Sequence, residues 1–153
     1  MNLSETAQTE FEDLQKTCIS AAETAMVHQT IEGFANGYNT VIGERGVTIS
    51  GGQKQRVAIA RVLALKAPVM IFDDSLSAVD TETDAKIRAA LRQRVKDAAV
   101  IIISHRISSL MQADKILVLK NGMVEDIGSH KELMERENTY RRIYEMQAAG
   151  FEE

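Results

Sequence analysis

Three short stretches of this 153-residue chain hold residue types at spacings that chemistry could use. In Ile49-Ser50-Gly51-Gly52-Gln53, a serine stands before a segment free of Gly and Pro that runs from Gln53 to Leu65. Ser50 can accept from the Gln53 N–H while the Gln53 side chain reaches back to the Ser50 N–H, a capping box that fixes where a helix starts. Two glycines in a first turn each weaken a helix by roughly 1 kcal/mol relative to alanine, so a compensating use is expected. Bare backbone at the positive end of a helix lets an anion approach the N–H groups, which is how helix N-termini hold phosphate. The same residues also fit a turn that merely precedes a helix.

The second stretch is Val69-Met70-Ile71-Phe72, an apolar run ending abruptly in Asp73 and Asp74. The run predicts a buried strand, and the carboxyl ends of strands are where ligands gather in open α/β sheets. Side chains alternate across a strand, so neighbouring carboxylates project differently and can divide the work, one near a Mg²⁺ and the other near an attacking water. A polar strand end that caps the next loop is the plainer alternative. Third, His105 directly follows a second apolar run, Ala99 to Ser104, which would put it on the same rim; a neutral imidazole there can donate to a phosphate oxygen. His28 and His130 have no such setting and take structural or solvated roles. Lys54, Arg56, Arg61 and Lys66 form a solvated or salt-bridged face of the helix after the glycines.

These residues need a scaffold, and glycine marks its joints. Six of the nine glycines, Gly33, Gly37, Gly43, Gly46, Gly51 and Gly52, fall between positions 33 and 52, which predicts a structured loop region. Before it, Ile19, Ala22, Ala25, Met26 and Gln29 recur at helical intervals and predict one or two modest helices within residues 4–31. After it, Val57 to Leu65 is apolar on most sides, which predicts a largely buried helix closed by Pro68, the only proline. Ile87, Ala90, Leu91 and Val95 give residues 82–96 an amphipathic period. Lys115–Lys120 and Met123–Ile127 flank Asn121-Gly122, the dipeptide best suited to a tight type I′ hairpin, and the tail from Ser129 is helical. Strand, helix, strand and hairpin give an α/β core behind a mostly helical segment of about 65 residues. Only about four strands can be placed where an open sheet has around five or six, so further N-terminal elements of the fold are expected.

Composition narrows the function. Eighteen Lys and Arg against 22 Asp and Glu give a formal charge of −4, with no basic footprint for nucleic acid. A single cysteine, Cys18, permits no internal disulfide framework or Cys-based zinc cluster and suits a reducing compartment. The longest apolar stretch, Ala98 to Ile103, is about a third of the roughly 20 residues a membrane-spanning helix needs. The start, MNLSETAQTE, is neither a secretory signal nor an Arg-rich transit peptide.

The order and spacing of these stretches resemble the nucleotide-binding domain of exporter-type ABC transporters over nearly the whole chain. Ile49 to Arg56 is similar to that family's signature motif, with Ile in place of the usual Leu; Val69 to Asp73 is similar to its Walker B strand. Ser77-Ala78-Val79-Asp80 resembles its D-loop, Ser104-His105-Arg106 its switch histidine, and Ile42-Gly43-Glu44-Arg45-Gly46 the loop that touches transmembrane coupling helices. The resemblance implies a partial P-loop NTPase (RecA-like) α/β core, residues 66–153, with the α-helical subdomain at its N-terminal side, residues 1–65. It implies ATP and Mg²⁺ as ligands: Ser50, Gly51, Gly52 and Gln53 toward ATP, Asp73 toward the metal, Asp74 and His105 in catalysis, Ser77, Ala78 and Asp80 in the D-loop. Its partners would be a second nucleotide-binding domain and a transmembrane domain, which would put it at the cytoplasmic face of the plasma membrane with the chain itself soluble.

Two departures change what the resemblance implies. No GxxxxGK[ST] occurs: the only Lys followed by Ser or Thr is Lys16-Thr17, preceded by Gln15 where glycine is required. The chain therefore resembles the C-terminal part of such a domain, without the phosphate cradle. The family's general base is a glutamate directly after the Walker B aspartate, and here it is Asp74, one methylene shorter. Shifts of about 1 Å can cost on the order of 100-fold in rate, so Asp74 is expected to be a weak or silent base. In this family the signature of one domain covers ATP held by the opposite one, so Ser50 to Gly52 would serve a partner's nucleotide. A non-catalytic docking or regulatory module that completes a partner's site is the competing reading. A chromosome-maintenance ATPase is disfavoured, because Ser50 and Asp73 lie only 23 positions apart in one block. The chain alone is predicted to hydrolyse ATP no faster than background in a phosphate-release assay with Asp73→Ala as control; turnover that vanishes in the control contradicts this.

Overall fold

The computed structural model describes residues 3–43, 46–75, 79–94 and 98–150. They fall into two compact units, Met1–Ile101 and Ile102–Glu153, the boundary lying inside the second strand. The architecture is α/β, with four strands among the described residues in two two-stranded sheets.

The first unit opens with α1, Leu3–Thr24, a single helix of 22 residues, followed by the five-residue α2, His28–Glu32, and a 3₁₀ turn, Gly37–Asn39. Residues 4–31 thus hold two helices, within the one or two expected, but the first is long rather than modest. No Gly or Pro interrupts residues 3–24, and Met26, at φ 55°, makes the break just beyond. Burial gathers at the C-terminal end of α1 and just past it: Ala21, Ala22, Ala25 and Val27 are buried, whereas Phe11 and Leu14 are exposed. Small residues on that end let α1 pack against α3, Gly51–Ala64, whose buried positions are Ile59, Ala60 and Leu63.

Burial of α3 is less complete than its composition predicts. Ala58 lies exposed and Leu65, just past the helix, is 76% exposed, so only one side is covered among the described residues. The strands show the same pattern. In β1, Val69–Asp73, Met70 and Phe72 are buried while Val69 and Ile71 are more than half exposed; in β2, Ala99–Ile103, Val100, Ile101 and Ile103 are exposed. An expectation of buried strands holds for one face of β1 only, because a sheet of two strands offers its other face nothing to pack against. The Ala99 N–H donates to the Pro68 carbonyl at 2.9 Å, setting the start of β2 beside the start of β1, as a parallel pair joined by a crossover helix requires. That helix, α4, Thr81–Arg94, buries Asp84, Ile87 and Leu91 at helical spacing, and Arg88 pairs with Asp84 one turn away.

In the second unit α5, Ile107–Leu110, precedes the hairpin of β3, Ile116–Lys120, and β4, Met123–Gly128. Asn121 at φ 52° and Gly122 at φ 76° close it, both in the left-handed region that a type I′ turn demands. Register shifts between Val118 and Leu119, which pair with Asp126 and Val124 and leave Glu125 as a bulge. Two helices follow: α6, His130–Met134, with a Ser129–Glu132 capping box, and α7, Thr139–Ala148, capped by Asn138. Ile107, Ile116, Val118, Leu133 and Tyr140 form the core, with Ile143 and Tyr144 packed on it. Among the described residues no helix is long and apolar enough to cross a membrane.

The bulged Glu125 ties the hairpin to α7. Its carboxylate accepts from Lys120 Nζ, Thr139 Oγ1 and the Thr139 N–H, each at 2.9 Å, and these bonds, Lys120 foremost, hold its pKa down to about 2. Asp126, held chiefly by Asn138, and Glu132, held by the Ser129 N–H, lie low for the same kind of reason. A depressed carboxylate stabilises the fold above its unfolded pKa, and that contribution disappears as pH falls toward the folded value. Thermal denaturation should therefore show stability level above about pH 5 and declining toward pH 2, with a shallower decline in Glu125→Gln; an unchanged slope in the variant would contradict this.

Candidate functional site

Ser50 is the N-cap of α3, at φ −64° and ψ 162°, extended backbone that turns into the helix at Gly51. Its hydroxyl accepts from the Gln53 N–H at 3.2 Å, and its own N–H donates to Gln53 Oε1 at 2.8 Å. The expected capping box is therefore present on both sides. It holds Gln53 to the helix start and leaves the Gly51 and Gly52 N–H groups among those a helix cannot satisfy internally. Gly51 is exposed, and a Cβ built on it meets nothing within 4 Å. Among the described residues its lack of a side chain answers no packing contact. Gly46 differs: a Cβ there would lie 2.1 Å from the Val41 carbonyl oxygen, beside the bridge between Ile42 and Val47. The fold itself requires that glycine; Glu44 and Arg45 lie outside the described residues.

Asp73 is the last residue of β1, exposed, and its carbonyl accepts from Ser75 Oγ at 3.1 Å. Asp74 follows at φ 44°, a left-handed conformation that aspartate tolerates better than most residues. The chain thus turns sharply between the two carboxylates, both of them exposed. Among the described residues no cluster of three or more His, Cys, Asp or Glu could cage a metal. Asp73 and Asp74 are exposed carboxylates, and Mg²⁺ takes one or two such groups and completes its shell with water and phosphate oxygens.

Ser77 and Ala78 lie outside the described residues. Asp80, from the same stretch, caps α4 by accepting from the Thr83 N–H at 2.9 Å. That bond, with a smaller contribution from the Arg56 charge, keeps its carboxyl below the ordinary aspartate range. Arg56 is half-buried rather than a solvated face residue, and its Nε has no hydrogen-bond partner among the described residues.

His105 belongs to the second unit, where its side chain is exposed and the Arg106 N–H beside it donates to Ser104 Oγ at 3.1 Å. Sequence reasoning missed Gln147, whose side-chain amide bonds the backbone on both sides of this histidine's turn. No periodicity or motif joins positions 42 residues apart. His28 and His130 have structural partners, the Tyr38 and Tyr140 hydroxyls, each at 2.8 Å.

Comparison with known proteins gives the site its setting. The family model described as "ABC transporter" matches residues 2–77. The chain is 46% identical over 132 residues, 86% of its length, to the ATP-dependent lipid A-core flippase of Haemophilus influenzae (strain 86-028NP), of which it covers 22%. It is 43% identical over 129 residues, 84% of its length, to a putative multidrug export ATP-binding/permease protein of Bacillus subtilis (strain 168), again covering 22%. Among solved structures, that of a bacterial Atm1-family ABC exporter with ATP bound matches with a TM-score of 0.81 and 38% identity over 87% of this chain and 23% of that one. The chain belongs to the ABC transporter family, as part of an exporter-type ATP-binding domain with a partial P-loop NTPase fold. It spans less than a quarter of the length of the relatives it matches.

The helix tip yields a paired prediction for stability. Ser50→Ala should lower the urea-unfolding free energy by about 1 kcal/mol through loss of the cap. Gly51→Ala, entering open space at ordinary φ, should leave it unchanged or raise it by about 0.5 kcal/mol. Destabilisation by Gly51→Ala beyond that of Ser50→Ala would contradict the assignment.

Proposed function

We propose that this chain serves as the signature-bearing and Walker B-bearing part of a nucleotide-binding domain in an ABC exporter, where ATP hydrolysis drives transport. In this reading residues 1–65 act as the helical subdomain and residues 66–153 as the C-terminal part of the ATPase core. The observation that carries it is the helix tip: a two-sided capping box presenting a glycine whose missing side chain the fold does not need. Ser50, Gly51, Gly52 and Gln53 would face ATP held by a second nucleotide-binding domain. Asp73 would hold Mg²⁺, Asp74 and His105 would act on the nucleotide bound by this chain's own domain, and Ser77, Ala78 and Asp80 would line the seam between the two domains.

Asp74 makes the two sites unequal. It offers a carboxylate one methylene short, on backbone that turns left-handed directly after the strand. We infer a heterodimeric exporter at the cytoplasmic face of the plasma membrane, in which this chain's own site is slow and its signature completes the partner's competent site. In the assembled transporter, Asp74→Glu should raise turnover at this chain's own site by about 10- to 100-fold, measured with the two sites followed separately. Gly51→Ala should instead depress turnover at the partner's site. Fast hydrolysis at the own site before substitution defeats the assignment of a degraded site; a partner site indifferent to Gly51→Ala defeats the role of the helix tip. ATP binding without turnover at either site would favour a regulatory docking module.

A further inference from the structure

Locally, the turn carrying His105 is tied by the Arg106 N–H donating to Ser104 Oγ at 3.1 Å. The helix after it, α5, has four residues, and its N-cap, Arg106, makes no side-chain capping hydrogen bond. A single helical turn is marginal by itself, because nucleation is unfavourable and few bonds are gained. Further support comes from α7. Gln147 Nε2 donates to the His105 carbonyl at 2.8 Å, and Gln147 Oε1 accepts from the Ile107 N–H at 3.0 Å. The amide cannot be reversed: the carbonyl can only accept and the N–H can only donate. Gln147 thus splints the backbone on both sides of Arg106, while Ile107, 5% exposed, anchors the far end of the turn in the core.

We propose that Gln147 is a positioning residue for His105, holding the histidine's backbone so that its imidazole stands ready for the nucleotide. This rests on the reading of His105 given above. The chemistry of the contact calls for a primary amide. Glutamate would keep the acceptor for Ile107 but set a carboxylate oxygen against the His105 carbonyl, and alanine would lose both bonds. Docking of α7 does not depend on Gln147, since Asn138 caps the helix and Tyr140, Ile143 and Tyr144 hold it to the core.

Two measurements test the proposal. In the 153-residue chain, backbone ¹⁵N order parameters at His105 and Arg106 should fall from about 0.85 to below about 0.6 in both Gln147→Ala and Gln147→Glu, with Leu133 and Tyr140 unchanged. In the assembled transporter, the single-turnover rate at this chain's site should fall about tenfold in both variants with ATP affinity within about twofold. In a His105→Ala background, Gln147→Ala should add no further loss. Order parameters that stay high, a rate unchanged in both variants, or an undiminished additional loss in the His105→Ala background would each overturn the role of Gln147. Loss of turnover in His105→Ala with none in the Gln147 variants removes this inference and leaves the reading of His105 intact. Full turnover in His105→Ala removes both.

Discussion

The reciprocal pair of bonds between Ser50 and Gln53 is the constraint on which the functional reading depends. A helix N-terminus leaves four N–H groups without intrahelical acceptors, and a capping box engages two donors while fixing the entry of the chain. What remains at the tip of α3 is a positive, partly unsatisfied backbone end with a bare, exposed glycine in its first turn. Glycine there is costly to the helix and useful only if something must come closer than a Cβ would permit. Gly46, against the Val41 carbonyl, and Gly122, at positive φ in the hairpin turn, have visible structural reasons. At Gly51 a Cβ would meet nothing within 4 Å, so no packing contact among the described residues calls for a glycine there.

Legibility followed the range of the interaction. The capping box at Ser50, the type I′ turn at Asn121-Gly122 and the buried stripe of Ile87 and Leu91 are set by residues within one or two turns of each other, and all were readable from spacing. Burial was read less well. Val57 to Leu65 and the runs of β1 and β2 have the composition of interior elements, yet much of their apolar surface is exposed. Composition reports that a segment seeks cover; it carries no information on whether the covering element belongs to the same stretch of chain.

Polar contacts between distant residues left the least trace. Gln147 is an unremarked helix residue in the sequence and becomes informative only once α7 lies beside the turn at His105. The bulged Glu125 is similar: one residue of register shift in the hairpin places its carboxylate on the first turn of α7, 14 positions away. His28 and His130 bond tyrosine hydroxyls ten residues on, a separation that follows no helical or strand period. Asp80 joins both classes, a residue singled out for its motif whose visible task is to start α4.

The central claim is that the tip of α3 addresses a triphosphate bound by another domain. It is tested most directly by a structure of the assembled transporter with hydrolysis arrested and Mg²⁺-ATP trapped between the two nucleotide-binding domains. The account predicts the Ser50 hydroxyl and the Gly51 or Gly52 N–H within hydrogen-bond distance, about 3 Å, of the terminal phosphoryl oxygens of the partner's nucleotide. A closed assembly in which those groups face solvent or protein, with the phosphates held by other residues, would contradict it.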